Sequence, residues 1–243
     1  MDPREHERLA RFEEWYWWHR GRQAIVRRIL ARYAPAGARI LDVGCGTGAT
    51  TLALRRFGSV VGLDLGRRAL EVARARGLAV AQASAVRLPA AEGAFDLVLA
   101  LDVLEHLDDD VAAACEMRRA LRPGGHLVAT VPAYPFLWSA HDEALAHRRR
   151  YLRRQLVETL ERAGFEIALC SYVMGSILPA AIAVRLYERW VRRPARRESG
   201  YVIVPAPVNA LLAWITGAGS LLLPWVRLPF GLTIAAVARR PVA

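Results

Sequence analysis

Lysine is absent from these 243 residues: every one of the 34 basic side chains is arginine. Without lysine there can be no Schiff-base chemistry, no Walker-type phosphate clamp and no kinase-type ATP lysine. A G+C-rich coding sequence is the simple source of that bias. Cysteine is scarce as well. The three, at 45, 115 and 170, include no close pair, so neither a disulfide framework nor a CxxC metal site is available. MDPREHERLARF, the first twelve residues, is charged throughout and does not read as a secretory signal, which makes a reducing cytoplasm the default expectation. Internal repeats and low-complexity stretches are also missing. An apolar fraction of 54%, spread along the chain, excludes disorder as the main state and suits one large α/β domain with an elaboration.

The net charge of +11 is unevenly placed. Residues 1–147 carry a net +1, residues 148–197 a net +8, and residues 198–243 a net +2. Such a block points to an anionic partner or to a solvated helical face. From Ser199 to Val226 there is no charge at all, yet Pro205, Pro207, Gly217, Gly219 and Pro224 break the run. One clean membrane span needs about 20 unbroken apolar residues, so two short hydrophobic helices are expected here. Next to the arginine-rich RLYERWVRRPARR they suit peripheral contact with a membrane at its inner face. Burial in a subdomain core or a homodimer interface is the alternative.

Along the chain, a helix-like start at Arg4–Tyr33 contains Trp15, Tyr16, Trp17 and Trp18. Strands and helices then alternate: ARILDV, SVVGLD, LAVAQA, FDLVLAL, HLVATVP, FEIALCSYV and LTIAAVA read as strands. TLALRRF, RRALEVARAR, DDDVAAACEMRRAL and LRRQLVETLERAG read as helices, the third with an aspartate cap and an RPGG stop. The expected fold is α/β, a mostly parallel sheet with helices on both faces. The expected organisation is an N-terminal helical cap at 1–35, a main domain at 36–173 and 231–243, and a hydrophobic, basic helical insertion at 174–230.

The sharpest local signal is Leu41-Asp42-Val43-Gly44-Cys45-Gly46-Thr47-Gly48, which follows a strand and opens a helix. Glycines there let a bound cofactor approach the backbone. Asp64 closes the second strand, where a carboxylate can accept both ribose hydroxyls of an adenosine. Gly44-x-Gly46-x-x-Ala49 also satisfies the dinucleotide fingerprint, so spacing alone leaves NAD open.

Taken together, LDVGCGTG, GLD, the RLP at 87–89, FDLVLALDVLEHLDD and LRPGGHLVATVP resemble the class I S-adenosylmethionine-dependent methyltransferases, over about residues 36–172 and again at 231–240. The resemblance implies a Rossmann-like seven-stranded sheet with one antiparallel strand. It also implies S-adenosylmethionine as cofactor, lying across the carboxyl ends of the first strands. Asp42, Gly44, Cys45, Gly46 and Gly48 would line its methionine and ribose side, Asp64 would hold the ribose, and Leu65 would pack on the adenine. Ser84, beside Ala85, stands where the family often has an aspartate toward the adenine amino group; a hydroxyl bonds there more weakly. Leu101 and Asp102 end the fourth strand, and in related methyltransferases the residue after this strand faces the methionine portion, so Leu101 would border the cofactor. In similar methyltransferases a leading helix folds over the cofactor, so Trp17, Trp18 and His19 would close the site and Arg22 would pair with its carboxylate.

Methyl transfer asks the protein to position and desolvate an acceptor and, for oxygen or nitrogen, to remove a proton. His106 in VLEHL is the first candidate base, with a structural histidine of the turn as its alternative. Tyr134–Asp142, with His147 and Arg148–Tyr151, resembles a segment of methyltransferases associated with glycolipid and polysaccharide pathways. His141 and Asp142 would be an acceptor-binding pair there, and Tyr134 a wall. Asp102, Glu105 and His106 with a later histidine could also suit a hard divalent cation, but such short patterns recur by chance and no metal is assigned.

The expected function is methyl transfer to a hydrophobic or membrane-borne acceptor: a lipid, an isoprenoid or a lipid-linked sugar. The alternatives are a small soluble metabolite, with the insertion as a dimer interface, and an NAD-dependent oxidoreductase. No nucleic-acid partner is expected. The fourth strand ends ALDV rather than in a Pro-Pro-aromatic motif, and Cys115 lies within a helix rather than after a proline.

Overall fold

The computed structural model describes residues 12–191, 203–223 and 225–242. The Arg4–Arg11 part of the expected first helix, Arg192, Arg193, Arg196 and Arg197 of the basic run, and Pro224 lie outside them. Seven strands form one sheet: β1 (Ala38–Val43), β2 (Gly58–Asp64), β3 (Ala79–Gln82), β4 (Phe95–Leu101), β5 (Leu121–Pro132), β6 (Glu166–Val173) and β7 (Thr233–Arg239). Their order is β3-β2-β1-β4-β5-β7-β6. Pairing is parallel from β3 to β5, while β7 runs antiparallel to both β5 and β6. The mixed Rossmann-like sheet with one reversed strand is therefore present.

The central strand shows why the sequence folds this way. FDLVLAL is apolar at consecutive positions because both faces of β4 are covered. Leu97 and Leu99 point into a core with Ile25, Leu30, Ile40 and Val128. Val98 and Ala100 point into the opposite core with Leu104, Met117, Leu127 and Leu156. The first core is capped by α1 (Trp17–Tyr33), whose Ile25, Val26, Ile29 and Leu30 recur at helical spacing. The second is covered by α4 (Asp110–Ala120) and α6 (Arg153–Arg162). Asp109 caps α4 by accepting the Ala112 N–H at 2.8 Å. Leu99 is fully buried, so Leu99→Ala should cost about 2–5 kcal/mol. Urea unfolding should show that loss, while the exposed Leu186→Ala stays within about 0.5 kcal/mol of wild type.

RPGG does not separate helix from strand as the sequence suggests. α4 ends at Ala120 and β5 begins at once with Leu121, taking Gly124 and Gly125 into the strand. The Phe95↔Leu121 pair is followed by a register shift to Leu97↔His126, so the glycines form an irregularity within the pairing.

Short helices α2 (Ala49–Leu54) and α3 (Arg67–Ala75) follow β1 and β2, and α5 (Ala140–Ala144) follows β5. Between β6 and β7 come α7 (Leu178–Val191) and α8 (Ala206–Ala218). No helix among the described residues is long and apolar enough to cross a membrane.

α8 is turned inside out. Its buried residues are Asn209, Thr216 and Gly217, while Leu211 and Trp214 face outward. Asn209 Oδ1 accepts the Trp17 N–H at 2.9 Å, and its Nδ2 donates to the Trp15 carbonyl at 2.7 Å. Arg28 Nη1 donates to the Gly217 carbonyl at 2.7 Å and to Ser220 Oγ at 2.6 Å. The contact with α1 is close enough that a Cβ added at Gly21 would lie 2.6 Å from Thr216 Cγ2. Polar and small groups of α8 thus bind it to the N-terminal helix, and its Leu211 and Trp214 are left on the surface.

Candidate functional site

The strand order reverses direction between β1 and β4, the usual place for a crevice in an open α/β sheet. A cavity of about 1170 Å³ opens there, past the carboxyl ends of β1, β2 and β4. Asp42 is buried, and its Oδ2 accepts the Thr51 hydroxyl at 2.6 Å. Burial raises its pKa to about 6, opposed in part by that hydrogen bond. Asp64 closes β2 and accepts the Gly46 N–H at 2.9 Å on one oxygen and the Gly66 N–H at 2.7 Å on the other. Each oxygen keeps a lone pair for another donor. Gly46 has φ +55°, and a Cβ built on it would meet nothing within 4 Å: the loop borders open space.

Arg22, Asp42, Gly44, Cys45, Gly46, Asp64, Leu65, Ala85 and Leu101 line the cavity, as do Trp17, Trp18 and His19 of the leading helix. Gly48 caps α2, outside the lining. Ser84 is also outside it, bridged to Arg87, while its neighbours Ala83 and Ala85 reach the wall. His106 and His141 line the cavity; Asp142 and Tyr134 do not. Tyr134 stacks on Tyr172 at 5.0 Å between ring centroids, and Asp142 is fully buried behind the wall.

Asp102 lines the cavity just after β4, in the left-handed region with φ 58°, a strained conformation of the kind that clusters at sites. Its carboxylate accepts the Thr130 hydroxyl at 2.8 Å and pairs with Arg22. Burial would raise its pKa, but Arg22 and Thr130 outweigh that and hold it below the ordinary range. Arg22, expected to face a cofactor carboxylate, is thus engaged with the protein's own acid. Beside them Glu105 has no exposed surface, and neither of its carboxylate oxygens has a hydrogen-bond partner. Burial, then the nearby Asp102, pushes its pKa well up.

Asp142 organises the far wall. Its Oδ1 lies 2.9 Å from His147 Nδ1 and accepts Arg150 Nε at 2.7 Å. Its Oδ2 accepts the Ser139 N–H at 2.9 Å, closing the first turn of α5. Burial would raise its pKa, but the bonds from His147 and Arg150 hold it far below the carboxylate range. Burial also lowers His141 to about 4, and it lowers His106 with help from His147.

Several contributors had no sequence signal. Glu13 binds Arg76 at 2.6 Å and also Thr47, fastening the N-terminal segment to the glycine loop. From the insertion, α7 contributes Ala181, Val184, Arg185 and Glu188 to the cavity wall. Only the alternation of apolar and charged residues in α7 could have hinted at a two-sided helix.

This crevice, glycine loop and strand-ending acid are those of a Rossmann-like α/β fold with room for a nucleotide cofactor. Residues 41–129 match the family model described as Methyltransferase domain. A protein of Mycolicibacterium smegmatis, described as a probable S-adenosylmethionine-dependent methyltransferase, is 32% identical over 160 residues, 64% of this chain and 61% of that one. A ubiquinone biosynthesis O-methyltransferase of Xanthomonas oryzae is 37% identical over 107 residues, 41% of this chain and 45% of that one. The chain therefore spans less than two thirds of the length of these curated relatives. In fold, the S-adenosylmethionine-dependent methyltransferase from Mesorhizobium loti aligns with a TM-score of 0.59 at 20% identity, covering 88% of this chain and 96% of that one. Over residues 41–129 the chain is thus similar to a class I S-adenosylmethionine-dependent methyltransferase domain.

Proposed function

We propose that this protein binds S-adenosylmethionine in the cavity and transfers its methyl group to a hydrophobic, membrane-borne acceptor. The observation that carries the first half is the open space at Gly46 beside an oriented Asp64 carboxylate. These residues fit the cofactor. Asp64 can accept the ribose hydroxyls, and Leu65, 62% exposed, offers an apolar surface to the adenine. Asp42 and Asp102 supply acidic surroundings for the cationic end. Bound there, the cofactor supplies an electrophilic methyl group on a good leaving group. The protein's own part is to exclude water and to place the acceptor against the histidine side of the cavity. His106 and His141, kept neutral by burial, offer imidazole lone pairs there. His141, at about 4, is the weaker base.

The second half rests on the insertion. Val184 borders the cavity, while Leu186, Tyr187 and Trp190 of the same helix are exposed, Trp190 at 84%. Trp214 on α8 and Trp225 after it are 68% and 79% exposed. Exposed tryptophans on both helices, with an arginine-rich run between them in the sequence, have the composition of an interfacial membrane element. A lipid-borne acceptor would reach the cavity along α7.

The test is calorimetric titration with S-adenosylmethionine, S-adenosylhomocysteine and NADH, followed by labelled methyl transfer into membrane extracts and co-sedimentation with anionic liposomes. Binding of the sulfonium pair but not NADH, label in the lipid phase and sedimentation with liposomes are expected. NADH binding alone would overturn the cofactor assignment. Label confined to soluble metabolites, with no liposome binding, would overturn the acceptor class.

A further inference from the structure

Among its described side chains, α7 turns its charges toward the cavity and its apolar groups outward. Leu178, Ala181, Arg185 and Glu188 recur at helical spacing; Leu178 is buried and the other three are half-buried. Ala181, Arg185 and Glu188 border the cavity. Leu186, Tyr187 and Trp190 are exposed. A helix on a protein surface ordinarily does the reverse, because an ion gives up hydration wherever it turns inward. A polar group bound in the cavity would offset that loss.

Three guanidiniums border the cavity among the described residues, those of Arg22, Arg150 and Arg185. Two are held by acids of other parts of the chain. Arg22 pairs with Asp102, and Arg150 with Asp142 at 2.7 Å and with the Ala133 carbonyl at 3.1 Å. Arg185 is bound differently. Its Nη1 donates to Glu188 Oε2 of the same helix at 2.7 Å, and that carboxylate side chain is 41% exposed. An i,i+3 pair open to solvent is among the weakest of ion pairs, so an incoming anion can displace it. Arg185 also stands at the histidine end. Its charge is one of the influences that lower His141, and α7 packs against the turn at 135–137. Burial keeps His106 and His141 neutral there, so neither imidazole supplies the positive charge.

We propose that Arg185 binds the acceptor by an anionic oxygen group, a phosphate or carboxylate, at the head of an amphiphilic molecule. A planar guanidinium meets such a group through two parallel N–H···O bonds. Val184 borders the cavity beside Arg185, and Leu186, Tyr187 and Trp190 offer apolar surface to the remainder of the molecule. At about 1170 Å³ the cavity exceeds the roughly 300–1,000 Å³ usual for one ligand, so a head group has room beside a cofactor. Glu188 holds the guanidinium in place until the anion takes over that bond. This rests on the methyl-transfer reading and deepens it, giving the hydrophobic acceptor a charged head.

The experiment uses the full chain with S-adenosylhomocysteine, whose own affinity is measured first. Octyl phosphate, octanoate, octanol and inorganic phosphate are then titrated below their aggregation limits, with calorimetry as readout. Octyl phosphate or octanoate should bind once per chain, about tenfold or more tighter than octanol or inorganic phosphate. Arg185→Gln should weaken the tighter anion by about tenfold or more, with circular dichroism and S-adenosylhomocysteine affinity unchanged. Arg185→Lys, which keeps the charge without the fork, should fall between. Glu188→Gln should act in the opposite sense and tighten that anion by about threefold, because the competing carboxylate is gone. A pair that merely supports the helix would not give that sign, and if Arg185→Gln loses its fold, Glu188→Gln decides. Undiminished anion binding in folded Arg185→Gln assigns it to the arginine run that follows α7 and overturns the proposal. Octanol bound as tightly as both anions, or weaker anion binding in Glu188→Gln, overturns it too. Inorganic phosphate bound as tightly as octyl phosphate overturns the amphiphilic acceptor. Anion binding through Arg185 without S-adenosylhomocysteine binding would instead sink the cofactor reading and leave the Arg185 site standing.

Discussion

Asp64→Ala is expected to weaken S-adenosylmethionine binding by about 100-fold or more while leaving the fold intact. Two hydrogen bonds from ribose hydroxyls to an ionised acceptor contribute roughly 1.5–3 kcal/mol each, and every 1.4 kcal/mol is tenfold in affinity. The variant also loses the two backbone bonds by which Asp64 holds Gly46 and Gly66, so the glycine loop is less preorganised. Asp64→Asn should fall between the two, because the amide keeps one acceptor oxygen but presents N–H groups where acceptors are needed. Calorimetry with circular dichroism as the fold control is the measurement. An affinity for Asp64→Ala within about threefold of wild type would show that the cofactor does not use this carboxylate.

Asp64 was legible because its signal is local: a strand, a glycine loop, a helix, then an acid closing the next strand. The same holds for the alternation of elements, since each strand buries apolar groups within one short stretch. Long-range pairing is different. Nothing near Glu105 announces that its carboxylate would sit without a partner close to His147, 42 positions further on. Tyr134 reads as a cavity wall from its neighbours, yet with φ 61° its ring goes to Tyr172, a partner 38 positions away. RPGG reads as a stop because glycine and proline end helices, but strand pairing with β4 continues through it as an irregularity. In α8 the sequence is simply apolar. That its few polar groups turn inward follows from Asn209 satisfying backbone groups at Trp15 and Trp17, nearly 200 residues earlier in the chain.

Asp142→Ala should be the most destabilising single change in the far wall, by about 3–5 kcal/mol, because it leaves buried Arg150 without its ionic partner. Urea unfolding at neutral pH is the check. The wild-type protein carries a matching acid dependence. Asp142 is held lower when folded than the roughly 3.9 of an unfolded aspartate. Its contribution is therefore complete above about pH 4 and is lost as pH falls toward the lowered folded value. Wild-type stability should decline through that window, and Asp142→Ala should decline less steeply because the group that takes up the proton is gone. An equal pH slope in both proteins would assign the acid sensitivity to other carboxylates, with paired Asp102 the next to test. The two measurements together separate a carboxylate that merely fills space from one whose charge fixes the direction of His147. The histidine side of the cavity, where an acceptor would meet the imidazoles, depends on that direction.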